Sequence, residues 1–227
     1  MTRTAASPDR SSLDRSGETR SRLHSAVREL MAAKGYHATS IRDIARVAQV
    51  SSSALYHYAP SKEELVAEVV IESLTSSLAA VEEVGGWAEL APSVRLRALI
   101  RTQVAVHLEG RLTWGTAADE WKNFQHDSKR RILQLRRRHE AVWRQVLHDG
   151  VEAGEFQVQD LTMALYAIMG ICFHSRTWFS PLGRLTYAEL GDVFTRLSLQ
   201  MLSTSEERVA CALSFDLPPL RALDGST

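Results

Sequence analysis

Cysteine is scarce in this sequence, Cys172 and Cys211 being the only two among 227 residues. That excludes a disulfide-framework miniprotein. The pair matches no zinc-ligand spacing either, so no metal site and a reducing, cytoplasmic compartment are expected. Long apolar runs are also missing. No stretch reaches the roughly 18 uninterrupted apolar residues of a membrane span, and the opening MTRTAASPDRSSLDRSGETR lacks the apolar core of a signal peptide. Net charge is the third absence. The 27 Lys and Arg against 27 Asp and Glu exclude a uniformly basic nucleic-acid coat. What is present is 44% apolar residues, too many for a wholly disordered chain and enough for one large domain or two small ones.

The neutral total is a sum of unlike parts. Residues 1–18 carry three charges of each sign in a Ser, Asp, Arg and Pro context that reads as a flexible tail. Residues 19–62 hold seven basic against two acidic residues, and residues 63–120 four against ten. Residues 121–148 return to eight against two, and residues 149–227 close at five against ten. A compact basic module thus sits near the amino terminus, the kind of local field that steers a protein to a polyanion.

No segment alternates as a strand does, whereas helical periodicity recurs along most of the chain, so the fold is expected to be all-α. Leu23, Ala26, Val27, Leu30 and Met31 form one apolar stripe that Gly35 ends. Ser40 with Asp43 reads as a capping box for a short helix with Ile41, Ile44, Ala45 and Ala48 inward. Ser51 caps a segment Ser52–Tyr58 that Pro60 stops. Ser61-Lys-Glu-Glu64 then opens a helix running to about residue 83. Further helices are expected from Pro92 for about 18 residues, and at Asp127–Asp149, Val158–Arg176 and Thr186–Ser203, with a frayed end after Pro218-Pro219. Leu161–Phe173 is apolar nearly all round and needs cover from more than one side, which a second copy of the chain would provide.

Two short helices separated by a tight turn read as a helix-turn-helix over Ile41–Tyr58. In the major groove Ser52, Ser53 and Ala54 would allow close approach, while Tyr56 and His57 would touch phosphates. Ser51 heads this helix, and Leu55 is its core anchor. Thr39 and Ser40 head the preceding helix and Lys62 the following one, where free backbone N–H groups and an ammonium favour a phosphate.

Residues 22–65 resemble the DNA-binding domain of the TetR family of transcriptional regulators. The resemblance is carried by Gly35-Tyr36, Thr39-Ser40-Ile41, Asp43-Ile44-Ala45, Val50-Ser51, Leu55-Tyr56-His57 and Ser61-Lys62-Glu63. Gln49 stands where a glycine is common in the turn, and Ser53 where the recognition helix often has another. The resemblance implies a flexible tail at 1–18, a DNA-binding domain at 19–65 whose fourth helix continues as connector, a helical ligand-binding and dimerisation domain at 66–215, and a second tail at 216–227. It also implies a homodimer through helices near 158–176 and 186–203, binding palindromic double-stranded DNA as a ligand-released repressor, with no cofactor and no membrane partner.

Trp178-Phe-Ser-Pro-Leu-Gly-Arg-Leu-Thr-Tyr-Ala-Glu-Leu190 is similar to a segment of the branch that regulates fatty-acid or steroid breakdown, whose members respond to acyl-CoA thioesters. The TetR resemblance implies a small-molecule cavity in the larger domain, expected among Trp114, Trp121, Phe124, Trp143, Met163, Phe173, His174 and Trp178. Ile168, Met169 and Phe179 are further apolar candidates. Lys129, Arg130, Arg131 and the run Arg136-Arg137-Arg138 either receive CoA phosphates or pair with the acidic stretches around them. The eight histidines match no HExxH or comparable metal pattern, and no nucleophile elbow or phosphate loop occurs, so no catalytic residue and no enzyme is expected. His107 and His139 read as surface or packed residues.

Overall fold

The computed structural model describes residues 10–108 and 124–219, and all regular structure among them is helical. In chain order the helices are α1 (Arg10–Lys34), α2 (Ile41–Val47), α3 (Ser52–Tyr56), α4 (Lys62–Gly85) and α5 (Pro92–Leu108). They continue with α6 (His126–Glu152), α7 (Leu161–His174), α8 (Tyr187–Met201) and α9 (Glu206–Ser214), with a 3-10 turn at Ser175–Thr177 after α7. Among the described residues no helix is long and apolar enough to cross a membrane. The chain divides into two compact units, residues 1–70 with 113–129 and residues 71–112 with 130–227. The divisions fall inside α4 and inside α6.

In the first unit the stripe Leu23, Ala26, Val27, Leu30 and Met31 is buried, as are Ile44, Ala45 and Ala48 of α2 and Leu55 of α3. Gly35 ends α1 at φ +77°, a left-handed conformation that costs glycine nothing, with its N–H returned to the Met31 carbonyl at 3.1 Å. Residues 10–18, expected as part of a flexible tail, are helical, because α1 already starts at Arg10. Glu18 stands four residues before Arg22, the favoured order for a helical pair, and extending an existing helix fixes only one residue per hydrogen bond.

In the second unit α5 is the central element and packs against α7, α8 and α9. Gly191 of α8 makes the approach close, since a Cβ there would lie 2.8 Å from Cγ of Arg101. Besides Val94, Leu96, Leu99, Ile100 and Val104, α5 buries Arg95, Arg97, Thr102, Gln103 and His107. Apolar spacing alone does not reveal these polar positions. Arg95 donates to Asp149 at 2.6 Å and to the Gly85 carbonyl at 3.0 Å. Arg97 donates to Asp192 at 2.9 Å and to the carbonyls of Ala212 and Phe215. These carbonyls belong to the last turn of α9 and the residue after it, a helix that the sequence reading passes over. Its signals are short: Ser205 as N-cap, two glutamates in the first turn, and Val209 and Ala212 buried three residues apart.

Candidate functional site

The reading head is fixed by caps. The Ser40 hydroxyl accepts the Asp43 N–H at 3.1 Å, and the Asp43 carboxylate accepts the Ser40 N–H at 3.0 Å, closing the box expected from sequence. Lys34 reaches the same carboxylate at 2.8 Å. Its ammonium, together with the bonds from Ser40, holds Asp43 well below the usual carboxylate range. The Ser51 hydroxyl accepts the Ala54 N–H at 3.1 Å and starts α3, which is shorter than the expected Ser52–Tyr58. Leu55 anchors the helix in the core, while Ser52, Ser53, Tyr56 and His57 are exposed and Ala54 is half-buried. Four of the expected groove-facing residues therefore stand exposed on one short helix and its C-cap, the helix being held from behind at its start and centre. Between α2 and α3, Gln49 takes φ +56°, the left-handed position at which glycine is common in the resembling family.

Two expected phosphate contacts are instead committed to the fold. Thr39 is only 2% exposed, and its hydroxyl donates to the Gly35 carbonyl at 2.7 Å. Lys62 donates to the carbonyls of Tyr36 and Thr39, both at 2.9 Å, and lies 4.0 Å over the Tyr36 ring. An ammonium at the head of α4 thus satisfies carbonyls of the α1–α2 turn, a partnership across 26 residues that local spacing does not disclose. Phe124, expected in the effector cavity, belongs to this same unit. It is buried with its ring centroid 5.8 Å from that of Tyr36, and the next residue, Gln125, donates its N–H to the Glu63 carboxylate.

The second unit gathers a different set of residues. Trp143 is fully buried on α6, with the His139 ring stacked 6.4 Å away. On α5, Nε2 of Gln103 lies 2.8 Å from Nδ1 of His107, whose ring is 4.7 Å from Phe173 of α7. Burial, and then the charges of His139 and Arg176, push His107 down to about 3. Burial, and then Arg136, push His139 down to about 4. Both imidazoles are neutral at physiological pH, so Nδ1 of His107 accepts from the Gln103 amide. Among the described residues Nε1 of Trp143 and Oε1 of Gln103 are buried with no hydrogen-bond partner. Sequence reasoning picked out Trp143 and Phe173 but not Gln103. The signal was a Gln and a His four residues apart, on the face of α5 that also carries Leu99 and Ile100.

Other expected effector residues lie elsewhere. Met163 and Trp178 are 57% and 56% exposed, and His174 is exposed as well. For Met163 the reason is the all-round apolar surface of α7, of which this chain buries only the side bearing Ala164, Leu165, Ile168 and Cys172. Arg137 and Arg138 are exposed on α6, and Arg138 pairs with Glu82 at 2.7 Å. Trp114 and Trp121 lie outside the described residues. His148, Asp149 and Glu152 come within ligand reach of one another, but the Asp149 carboxylate is already engaged by Arg95 and Gln145.

Residues 23–69 match the model of bacterial regulatory proteins of the tetR family, and residues 89–202 match that of the tetracyclin repressor-like C-terminal domain. The chain is 26% identical over 195 residues to the HTH-type transcriptional repressor KstR2 of Rhodococcus jostii, covering 84% of this chain and 95% of that protein. Among solved structures, the TetR family regulator PfmR of Thermus thermophilus superposes with a TM-score of 0.72 at 30% identity, over 80% of this chain and 98% of that one. The ketosteroid transcriptional regulator KstR2 of Mycobacterium tuberculosis gives 0.74 at 26% identity, over 82% and 95%. With one family model spanning half of its length and the other covering its helix-turn-helix, the chain belongs to the TetR family of DNA-binding regulators, which are not enzymes.

Proposed function

We propose that the protein is a repressor that binds a palindromic operator as a homodimer and is released by an acyl-CoA thioester. The observation that carries the DNA-reading part is α3, whose Ser52, Ser53 and Tyr56, together with its C-cap His57, stand exposed around a buried Leu55. Ala54 would meet the groove beside the two serines, while Ser40 and Ser51 head α2 and α3 and present the cap hydroxyls and backbone to phosphates. Two heads bind half-sites whose centres are about 34 Å apart or a multiple of that, and affinity falls steeply with salt.

Dimerisation is supported by an apolar surface left open on both long carboxyl-terminal helices. Met163 and Tyr166 of α7 and Val193, Leu197 and Met201 of α8 are exposed at helical spacing. Gly170 adds a place where a Cβ would meet nothing within 4 Å. A second copy laid on this face covers Met163, His174 and Trp178 as well.

The effector reading rests on the likeness to KstR2, on the segment at 178–190, and on the buried Gln103, His107, His139 and Trp143 with the half-buried Phe173. The acyl part enters beside these residues, and the exposed Arg137, with Arg130, Arg131 and Arg136 on the same helix, receives the CoA phosphates. Arg138 is paired with Glu82 and contributes once that pair opens.

The test is selection of a palindrome from random duplex DNA, followed by fluorescence anisotropy of the labelled site during titration with short, long and ring-bearing acyl-CoAs. Release by one thioester class at micromolar concentration is expected. Failure to enrich any palindrome would overturn the DNA assignment, and unchanged affinity with every thioester would overturn the effector class alone.

A further inference from the structure

A cleft of about 340 Å³ lies in the second unit, between α5 and the extended segment after α9. One wall is the α5 stripe Arg97, Ala98, Arg101, Thr102 and Ala105, and the other is Phe215–Pro218, with Trp87 also in the lining. At 100° per residue this stripe points away from Gln103 and His107, so the cleft is distinct from the group assigned to the acyl effector. The small side chains of Ala98, Thr102 and Ala105 leave the space open. The opposite wall is held in place by Arg97, which bonds the carbonyls of Ala212 and Phe215.

We infer that this cleft is a second binding site, for an organic monocarboxylate with a flat apolar body. Two observations point to an acceptor group in the ligand. Thr102 is 1% exposed, and its hydroxyl has no hydrogen-bond partner among the described residues, not even the carbonyl four residues back that a helical threonine commonly takes. Arg101 is the weaker claimant on a shared carboxylate, with Nη1 3.8 Å from the Asp192 oxygen that Arg97 holds at 2.9 Å. A carboxylate entering the cleft accepts from Arg101, and from the Thr102 hydroxyl once a side-chain shift uncovers that buried oxygen. The exposed Asp216 in the opposite wall disfavours additional negative charge and so selects against the polyphosphate of CoA. Trp87, Phe215 and Leu217 cover an aromatic or alicyclic body. The volume is at the lower end of the range of about 300–1,000 Å³ usual for small-molecule sites.

Isothermal titration of the full-length protein with naphthalene-2-carboxylate, its neutral amide and coenzyme A tests the site. The acid is expected to bind at millimolar concentration or better, and the amide and coenzyme A at least about tenfold more weakly. Arg101→Gln is expected to weaken the acid about tenfold or more. Thr102→Val, which removes the hydroxyl but keeps the shape, is expected to weaken it severalfold without lowering the melting temperature. Trp143→Phe should leave this binding unchanged and alter only the acyl-CoA response, which keeps the two sites separable. No heat with the acid up to about 5 mM, equal binding of the amide, or unchanged binding to both cleft variants when they melt as the wild type does would each overturn the inference.

Discussion

In the amino-terminal unit the hydroxyls of Thr39, Ser40 and Ser51 and the ammonium of Lys62 all have partners within the fold. In the carboxyl-terminal unit Nε of Arg95, Oγ1 of Thr102, Oε1 of Gln103, Nε1 of Trp143 and Oγ of Ser198 are buried without hydrogen-bond partners among the described residues. Each such group costs about 1–3 kcal/mol, so these groups are a standing destabilisation that the described residues of the first unit avoid. The reader is organised before it meets DNA, whereas the sensor retains polar capacity that a ligand can satisfy.

The sharpest way to separate the two units is acid. His107 and His139 have folded-state pKa values of about 3 and about 4, both below the 6.5 of the unfolded chain. Below pH 6.5 the unfolded state takes up protons that the folded state refuses, so stability is complete above 6.5 and lost as pH falls towards the folded values. At about 1.4 kcal/mol per pH unit for each ring, descent from pH 6.5 to 4.5 removes about 5 kcal/mol. Urea unfolding at stepped pH should show this loss, and hydrogen exchange should place it in α5 and α6 rather than α1–α3. His107→Gln with His139→Gln should flatten the profile. Equal acid sensitivity in α1–α3 would break the contrast.

The next largest effect is expected at Lys62. Replacement by Met removes two charged hydrogen bonds and the contact with Tyr36, a loss of about 3 kcal/mol in the first unit. It also loosens the α1–α2 turn and weakens operator binding. Salt dependence identifies the role. A lysine that only braces the turn leaves the slope of log K against log salt unchanged, whereas a phosphate contact reduces it by about 0.9. A reduced slope would return Lys62 to the DNA surface and leave the head with an uncommitted cation.

Much of the head could be read in the sequence because its determinants are local. A Ser and an Asp three residues apart make the α2 capping box, Ser51 caps α3, and Gly35 stops α1. The errors came where a side chain answers to a distant partner. Lys62 and Thr39 have polar identities suited to phosphate, and only the turn carbonyls folded against them show otherwise. Phe124 is aromatic like Trp143, but its neighbour is Tyr36 of the head. Met163 and Trp178 are apolar like core residues, yet they lie on faces this chain leaves uncovered. Composition told apolar from polar at these positions without telling inside from outside.

Trp143 tests whether the unpaired groups of the sensor are there for a ligand. Trp143→Phe removes a buried N–H with no partner and leaves a small void beside His139. The two effects oppose, so the unliganded protein should change by about 1 kcal/mol or less, measurable by urea unfolding. Under the proposed function the same variant should require about tenfold more acyl-CoA to release the operator. A loss of several kcal/mol with an unchanged effector response would make Trp143 a packing residue and remove one of the five groups that set the units apart.

The smallest expected effect concerns the one strained position at the turn of the reader. Gln49 holds φ +56° between α2 and α3, where a Cβ costs about 1–2 kcal/mol. Glycine removes that cost but loses about 0.5–1 kcal/mol of chain entropy on folding, leaving a net gain near 0.5 kcal/mol. For a unit of this size Gln49→Gly should raise the melting temperature of the head by about 2–3 °C. Operator affinity at fixed salt should not move, because the turn already has the geometry that glycine prefers and the exposed residues of α3 and its C-cap keep their places. If affinity falls while stability rises, the Gln49 side chain itself touches DNA. The turn would then join α3 in the reading surface, and the reader would retain one residue whose backbone strain is kept for its contact with DNA.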